Sequence, residues 1–166
     1  MTMDSADWGQ SLAADTLRFE RTLPGTPERL WPWLADSEKR ARWLAAGVLP
    51  DQPGAAFTLT FEYEGTPVQT RHTVRLYEPP SRLCITWDEG EDWHSEVTFE
   101  LSALTADQVR LCITHRRLRQ ADRVDVASGW HAHLALLSAL LTGTAAPDFM
   151  ALHRELERAY QQRLEV

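Results

Sequence analysis

Apolar and polar residues alternate with a period of two along most of the chain from residue 55 to 117. This period is typical of β-strands that bury one face. The same alternation covers residues 17–23, and the later run is divided by short turns such as 64–65 and 78–81. Because sequential strands joined by short turns usually pair with one another, the pattern predicts an antiparallel meander of five strands, which with the strand over 17–23 makes a six-stranded sheet.

The apolar spacing changes to that of a helix in the C-terminal part of the chain. A helix over residues 122–143 would carry five large apolar side chains on one face, spaced by three or four: Val126, Trp130, Leu134, Leu137 and Leu141. We expect this face to be buried, with His131 and Ser138 exposed on the other side. Two short helices after the first strand and a terminal helix from Pro147 complete the pattern. Thr26 followed by Pro27 predicts the start of the first short helix, and we expect Asp122 to cap the long helix and Gly143 to end it.

A sheet with one apolar face and a helix with a matching apolar stripe bury each other's surfaces. We therefore predict an α+β fold in which a six-stranded curved antiparallel sheet wraps around a long C-terminal helix, with a short extra terminal helix. The space between the sheet and the long helix would hold either a packed core or a ligand. The predicted organisation is a flexible leader over residues 1–14, a main domain over 15–143 and a helical extension over 144–166.

Short motifs along these elements resemble one protein family. Phe19 is followed by the helix start Pro27-Glu28-Arg29-Leu30-Trp31; residues 95–101 read Ser-Glu-Val-Thr-Phe-Glu-Leu, and Gly-Trp-x-x-x-Leu-x-x-Leu occupies 129–137. The chain is thereby similar to the START-like superfamily, also called SRPBCC or Bet v-like. Within it, the chain resembles the bacterial branch named after the activator of heat-shock-protein-90 ATPase homologues.

The resemblance implies the helix-grip fold over roughly residues 15–143. Members of the superfamily bind lipids, polyketides, hormones or other hydrophobic molecules, and some are cyclases or aromatases. The branch name does not imply a co-chaperone role, because the eukaryotic activator carries an additional N-terminal domain that nothing in this sequence matches.

Charge and composition restrict the expected partners. The formal net charge of −7 disfavours nucleic acid and anionic membranes, which attract basic surfaces. Cys84 and Cys112 belong to no Cys-x-x-Cys pair, so we expect reduced thiols. The N-terminus lacks the features of a signal peptide, and the longest apolar run, residues 134–141, is too short for membrane insertion. These features predict a cytoplasmic protein, either a monomer or a homodimer.

Histidines are the main candidates for chemistry. His72 and His115 lie at apolar positions of their strands, where each is either a core residue with satisfied hydrogen bonds or a polar anchor for a ligand. His131 and His133 are two residues apart on a helix, so they point in different directions and make a poor metal pair. We expect no metal and no cofactor.

The sequence contains no recognisable catalytic motif, so no catalytic residue is assigned. The first hypothesis is a module that binds a small hydrophobic or amphipathic molecule. The second is an acid/base enzyme of the cyclase type that uses His72 or His115 in the same cavity, and the third is an interaction protein with a filled core. The candidate ligand-binding residues are Trp31, Trp43, Phe57, Phe61, His72, Trp87, Phe99, His115, Trp130, His133 and Leu137.

Overall fold

The computed structural model describes residues 4–87, 90 and 92–164. Its strands are β1 (Gln10–Ala13), β2 (Thr16–Pro24), β3 (Ala56–Tyr63), β4 (Thr66–Glu78), β5 (Arg82–Trp87), β6 (Ser95–Ala103) and β7 (Gln108–Arg116). Its α-helices are α1 (Pro27–Ala35), α2 (Ser37–Ala41), α3 (Arg123–Thr142) and α4 (Phe149–Arg163). Short 3-10 turns lie at Ser5–Asp7 and Gln120–Asp122.

The described strands form one antiparallel sheet in the order β1-β2-β7-β6-β5-β4-β3. Strands β3 to β7 form the predicted meander. β2 pairs with β7, the last strand of the meander, from Leu17 opposite His115 to Pro24 opposite Gln108. The curved sheet holds α3 against its concave face, so the helix-grip fold is confirmed.

The N-terminal segment differs from the prediction. Residues 10–13 form β1, a seventh strand at the sheet edge, where six strands and a flexible leader were expected. The Gly9 amide donates a hydrogen bond to the Tyr160 hydroxyl at 2.8 Å, and the Trp8 ring meets the Tyr160 ring edge-on. The segment is ordered because α4, far away in sequence, provides its partners. Residues 1–3 lie outside the described part of the chain.

The local signals at the helix ends behave as the sequence predicts, with one exception. The Thr26 hydroxyl accepts a hydrogen bond from the Arg29 amide at the start of α1. Gly143 ends α3 with a φ of 71°, a left-handed conformation that glycine adopts without steric cost. Asp122, expected to cap α3, makes no side-chain capping bond.

Helix α3 buries two opposite faces. Trp130, Leu134 and Leu137 are buried as predicted. His131 is also buried, at 5% exposure, so the prediction of an exposed His131 is wrong. Its Nδ1 lies 2.7 Å from the Tyr160 hydroxyl, because α4 packs along the side of α3 that the sequence pattern left to solvent. Ser138, expected to be exposed, is half-buried.

By length and composition alone, the segment Gln120–Thr142 could cross a membrane. Half of its most apolar window is buried inside the domain, between the sheet and α4. The core helix of a globular domain has the same composition, and α3 occupies that position here.

Candidate functional site

A cavity of about 500 Å³ lies between the sheet, α3 and α4. Its walls come from β3, β4, β5, both long helices and the segment after α2. The lining residues are Leu44, Phe61, Tyr63, Val68, Thr70, Trp87, Asp125, Val126, Gly129, Trp130, His133, Phe149, Met150 and His153. This volume is within the range of small-molecule sites.

One face of α3 forms a wall of the cavity. Asp125, Gly129 and His133 are four residues apart and therefore lie above one another on the helix. A Cβ atom added to Gly129 would meet nothing within 4 Å, so the missing side chain leaves open space. Glycine in a helix interior costs about 1 kcal/mol relative to alanine, and at Gly129 it widens the cavity.

Aromatic rings form most of the remaining wall. The Trp87 ring lies 5.1 Å from that of Trp130 and 6.0 Å from that of Phe61, measured between centroids. On the other side, Phe149 of α4 lies 4.6 Å from the His133 ring and 5.7 Å from the Tyr63 ring. The sheet and both helices thus contribute flat apolar surfaces to one space.

Tyr63 and His133 form a polar pair in this aromatic wall. The His133 Nδ1 lies 2.7 Å from the Trp43 carbonyl oxygen, and its Nε2 lies 3.3 Å from the Tyr63 hydroxyl. Burial lowers the pKa of His133 to about 4 and raises that of Tyr63 to about 12. Both groups are therefore neutral at neutral pH.

His72 lies behind the wall and holds a residue that lines it. Its Nδ1 donates to the Thr86 carbonyl at 2.8 Å, since a carbonyl oxygen only accepts, and its Nε2 lies 2.6 Å from the Thr70 hydroxyl. Thr70 lines the cavity, whereas His72 is fully buried. His72 can therefore orient the Thr70 hydroxyl, because its own ring is held by the Thr86 carbonyl.

His115 is fully buried in the core behind Trp87 and Trp130. Trp130 Nε1 donates to its Nδ1 at 3.0 Å, and the Ser95 hydroxyl lies 2.8 Å from its Nε2. Burial lowers the pKa of His115 to about 3. With both nitrogens bonded and no cavity contact, His115 is not placed to exchange protons with a molecule in the cavity.

His153 lies at the cavity between two carboxylates. Its Nδ1 is 2.7 Å from Glu157 on the same helix, and its Nε2 is 3.8 Å from Asp125 across the gap to α3. Ligand atoms of the three residues lie within 4.8 Å of one another, a spacing that a metal ion can bridge. The 2.7 Å contact with Glu157 is within hydrogen-bond distance, and it holds the His153 ring against its own helix.

The structure brings four of the predicted ligand-binding residues together on the cavity: Phe61, Trp87, Trp130 and His133. His72 and His115 lie behind its wall. Trp31, Trp43, Phe57, Phe99 and Leu137 pack in the core and do not line it. Around Phe57 and Phe99 the remaining space is only about 10 Å³, so that end of the fold is filled.

Sequence reasoning missed the contribution of α4 and of the β3–β4 hairpin. Phe149, Met150 and His153 come from a helix that was predicted only as an extension. Tyr63 and Thr70 fall on the same strand faces as Phe61 and His72, a spacing that could have identified them. Gly129 has no side chain, so the apolar pattern of α3 did not identify it as a wall residue.

Several solved structures match nearly the whole chain. A Bordetella parapertussis protein solved by solution NMR is 45% identical, with 98% of this chain and 95% of that chain covered and a TM-score of 0.80. CalU16 from Micromonospora echinospora is 20% identical, with 96% of each chain covered and a TM-score of 0.71. A conserved Enterococcus faecalis protein of unknown function is 20% identical, covering 95% and 92%, with a TM-score of 0.68. At 20% identity the last two show the fold alone.

No curated protein matches the sequence significantly. The sequence profile of the family described as Activator of Hsp90 ATPase homolog 1-like protein matches residues 24–142. This stretch runs from the end of β2 to the last residue of α3 and so contains the meander and the long helix. The chain therefore belongs to the Activator of Hsp90 ATPase homolog 1-like protein family.

Proposed function

We propose that the protein binds one small, amphipathic, largely aromatic molecule in the cavity between the sheet, α3 and α4. The observation that supports this most strongly is the cavity itself, about 500 Å³ of space beside Trp87, Trp130 and Phe61. A core serving only stability would be close-packed, whereas this space is partly open to solvent and is lined by aromatic rings. The volume therefore speaks against the alternative of an interaction module with a filled core.

The lining has the composition of a binding site. Aromatic and aliphatic side chains dominate it, and a few polar groups, including Tyr63, Thr70 and His133, lie among them. Apolar walls supply affinity through the area they remove from water, and isolated polar groups supply orientation.

The acid/base enzyme alternative has less support. His72 and His115, its candidate residues, lie behind the wall, and each has both ring nitrogens engaged. We accordingly propose a binding role, in the cytoplasm, for the protein as a monomer or homodimer, without a metal or other cofactor.

Gly129 provides a direct test. The neutral fluorescent probe N-phenyl-1-naphthylamine should bind the wild-type protein near one-to-one and brighten as it leaves water. Gly129→Leu should abolish this signal, because its side chain would enter the open space beside the helix. Gly129→Ala is the matched control: it adds one methyl group where nothing lies within 4 Å and should retain binding.

Two results would contradict the proposal. One is the absence of probe binding to the folded wild-type protein, with near-ultraviolet circular dichroism confirming the fold. The other is equal binding by Gly129→Leu and the wild type, which would place the probe elsewhere on the surface.

A further inference from the structure

The hydrogen bond of the Tyr63–His133 pair has a definite direction. The Trp43 carbonyl oxygen can only accept, so the His133 Nδ1 2.7 Å away carries the proton. In a neutral ring Nε2 then carries none and accepts, and the Tyr63 hydroxyl 3.3 Å away donates to it. The single O–H of the phenol is used in this hydrogen bond to His133, so only its oxygen lone pairs remain for a molecule in the cavity.

Burial supports the neutral state of this pair. His133 is buried and its pKa is lowered to about 4, while the pKa of Tyr63 is raised to about 12. Nearby His153 also lowers the pKa of His133. At neutral pH neither group changes its protonation, so the Tyr63 hydroxyl remains the donor and His133 Nε2 the acceptor.

Thr70 is arranged in the same way on the neighbouring strand. The His72 Nδ1 donates to the Thr86 carbonyl, and its Nε2 lies 2.6 Å from the Thr70 hydroxyl. When the ring is neutral, this hydroxyl donates to Nε2, and the Thr70 oxygen offers only lone pairs to the cavity. Two separate backbone carbonyls, on the segment after α2 and on β5, thus place the Nδ1 proton of both rings.

The charge around the cavity points the same way. Asp125 lines it with a carboxylate that is largely exposed to solvent, and His153, which also lines it, has its Nδ1 2.7 Å from Glu157. Among the described residues that line the cavity there is no lysine or arginine. A carboxylate or phosphate would thus meet hydrogen-bond acceptors and acidic groups, and an anion buried without a partner is strongly disfavoured.

We infer that the ligand is a hydrogen-bond donor, a neutral phenol or alcohol on a flat apolar body, with its hydroxyl directed at the Tyr63 oxygen. The inference rests on the proposed function, because it concerns what occupies that same cavity. It makes Tyr63 a specificity-determining residue. A ligand that offers only acceptors, such as an ether or a carboxylate, leaves the Tyr63 oxygen unpaired.

Four probes of similar shape test the inference: phenanthrene, 9-phenanthrol, 9-methoxyphenanthrene and phenanthrene-9-carboxylate. Each would compete with N-phenyl-1-naphthylamine, whose own affinity is measured for every variant. The phenol should bind roughly three- to tenfold more tightly than the methyl ether, the range of one neutral hydrogen bond. The carboxylate should bind most weakly of the four.

Tyr63→Phe should bring the phenol-to-ether affinity ratio to about one, because it removes the accepting oxygen and keeps the ring. Tyr77→Phe is the matched control, since Tyr77 packs on Trp31 away from the cavity, and should preserve the ratio. Equal binding of phenol and ether by the wild type, or tightest binding of the carboxylate, would overturn the inference while leaving the proposed function intact. Failure of all four probes and of the naphthylamine would contradict the proposed function itself.

Discussion

The indole of Trp130 donates a hydrogen bond from Nε1 to Nδ1 of His115, 3.0 Å away in the core. Because indole nitrogen only donates, the neutral His115 must carry its proton on Nε2, which donates to the Ser95 hydroxyl. That hydroxyl in turn donates to the Trp87 carbonyl at 3.1 Å. One directed chain of hydrogen bonds therefore joins α3 to β7, β6 and β5 behind the cavity.

Replacing Trp130 by phenylalanine should lower the free energy of unfolding by about 1–3 kcal/mol. The change leaves Nδ1 of His115 buried without a donor, and an unsatisfied buried group has a cost of that size. Urea denaturation of Trp130→Phe, His115→Leu and the double variant measures the coupling. The double variant should lose less than the sum of the single losses, since each single change strands the other partner. Strict additivity would show that the hydrogen bond contributes nothing.

Three buried histidines should make the protein less stable in acid. Burial lowers the pKa to about 3 for His115 and His131 and to about 4 for His133, against 6.5 for an unperturbed histidine. Between these values the unfolded chain binds protons that the native state does not, so stability rises with pH and is fully present above about pH 6.5. Each histidine contributes a slope of up to about 1.4 kcal/mol per pH unit in that window.

The measurement is urea denaturation at several values from about pH 5 to 7, above the range where most carboxylates titrate. His131→Asn keeps an acceptor for the Tyr160 hydroxyl and removes one titrating group. In this variant the slope of the free energy of unfolding against pH should be smaller by the contribution of one histidine. A stability independent of pH across this window would mean that the three rings are not held neutral.

Tyr160 connects the N-terminal segment to α3 and α4. Its hydroxyl accepts from the Gly9 amide at 2.8 Å and lies 2.7 Å from Nδ1 of His131. Tyr160→Phe should therefore destabilise the protein by about 1–3 kcal/mol, because the buried His131 ring and the partly buried Gly9 amide lose their bond. Hydrogen exchange of the Gly9 amide should accelerate. For the Leu111 amide, at the centre of the sheet, the free energy of opening should remain equal to the free energy of global unfolding of the same variant. Unchanged Gly9 exchange would show that the segment is held in another way.

The cluster Asp125, His153 and Glu157 should not need a metal ion. The contact between Nδ1 of His153 and Glu157, at 2.7 Å, holds the ring in place without an ion. The melting temperature should be the same before and after treatment with EDTA, and elemental analysis should find no stoichiometric zinc. A fall in melting temperature on chelation that His153→Ala abolishes would instead establish a metal site at this position.

The elements that depend on neighbours along the chain could be predicted from the order of the amino acids. A period of two requires one face of each strand to be buried, and this was enough to predict the meander and its partner helix. Thr26 and Gly143 act on backbone groups within a few residues, so the ends of α1 and α3 could also be predicted. The apolar stripe of α3 likewise predicted that Trp130 and Leu134 are buried.

The partner that packs against each face comes from a distant part of the chain and could not be predicted in this way. His131 is buried because Tyr160 reaches it from α4, and β1 forms beside β2 because Tyr160 also holds Gly9. The cavity exists because no atom of another element lies close to Gly129, and Phe149 of α4 closes one side of the space. Periodicity specifies the face of a strand or helix on which a residue lies. The residue that packs against it comes from a segment distant in sequence, so the pairing depends on how the whole chain packs.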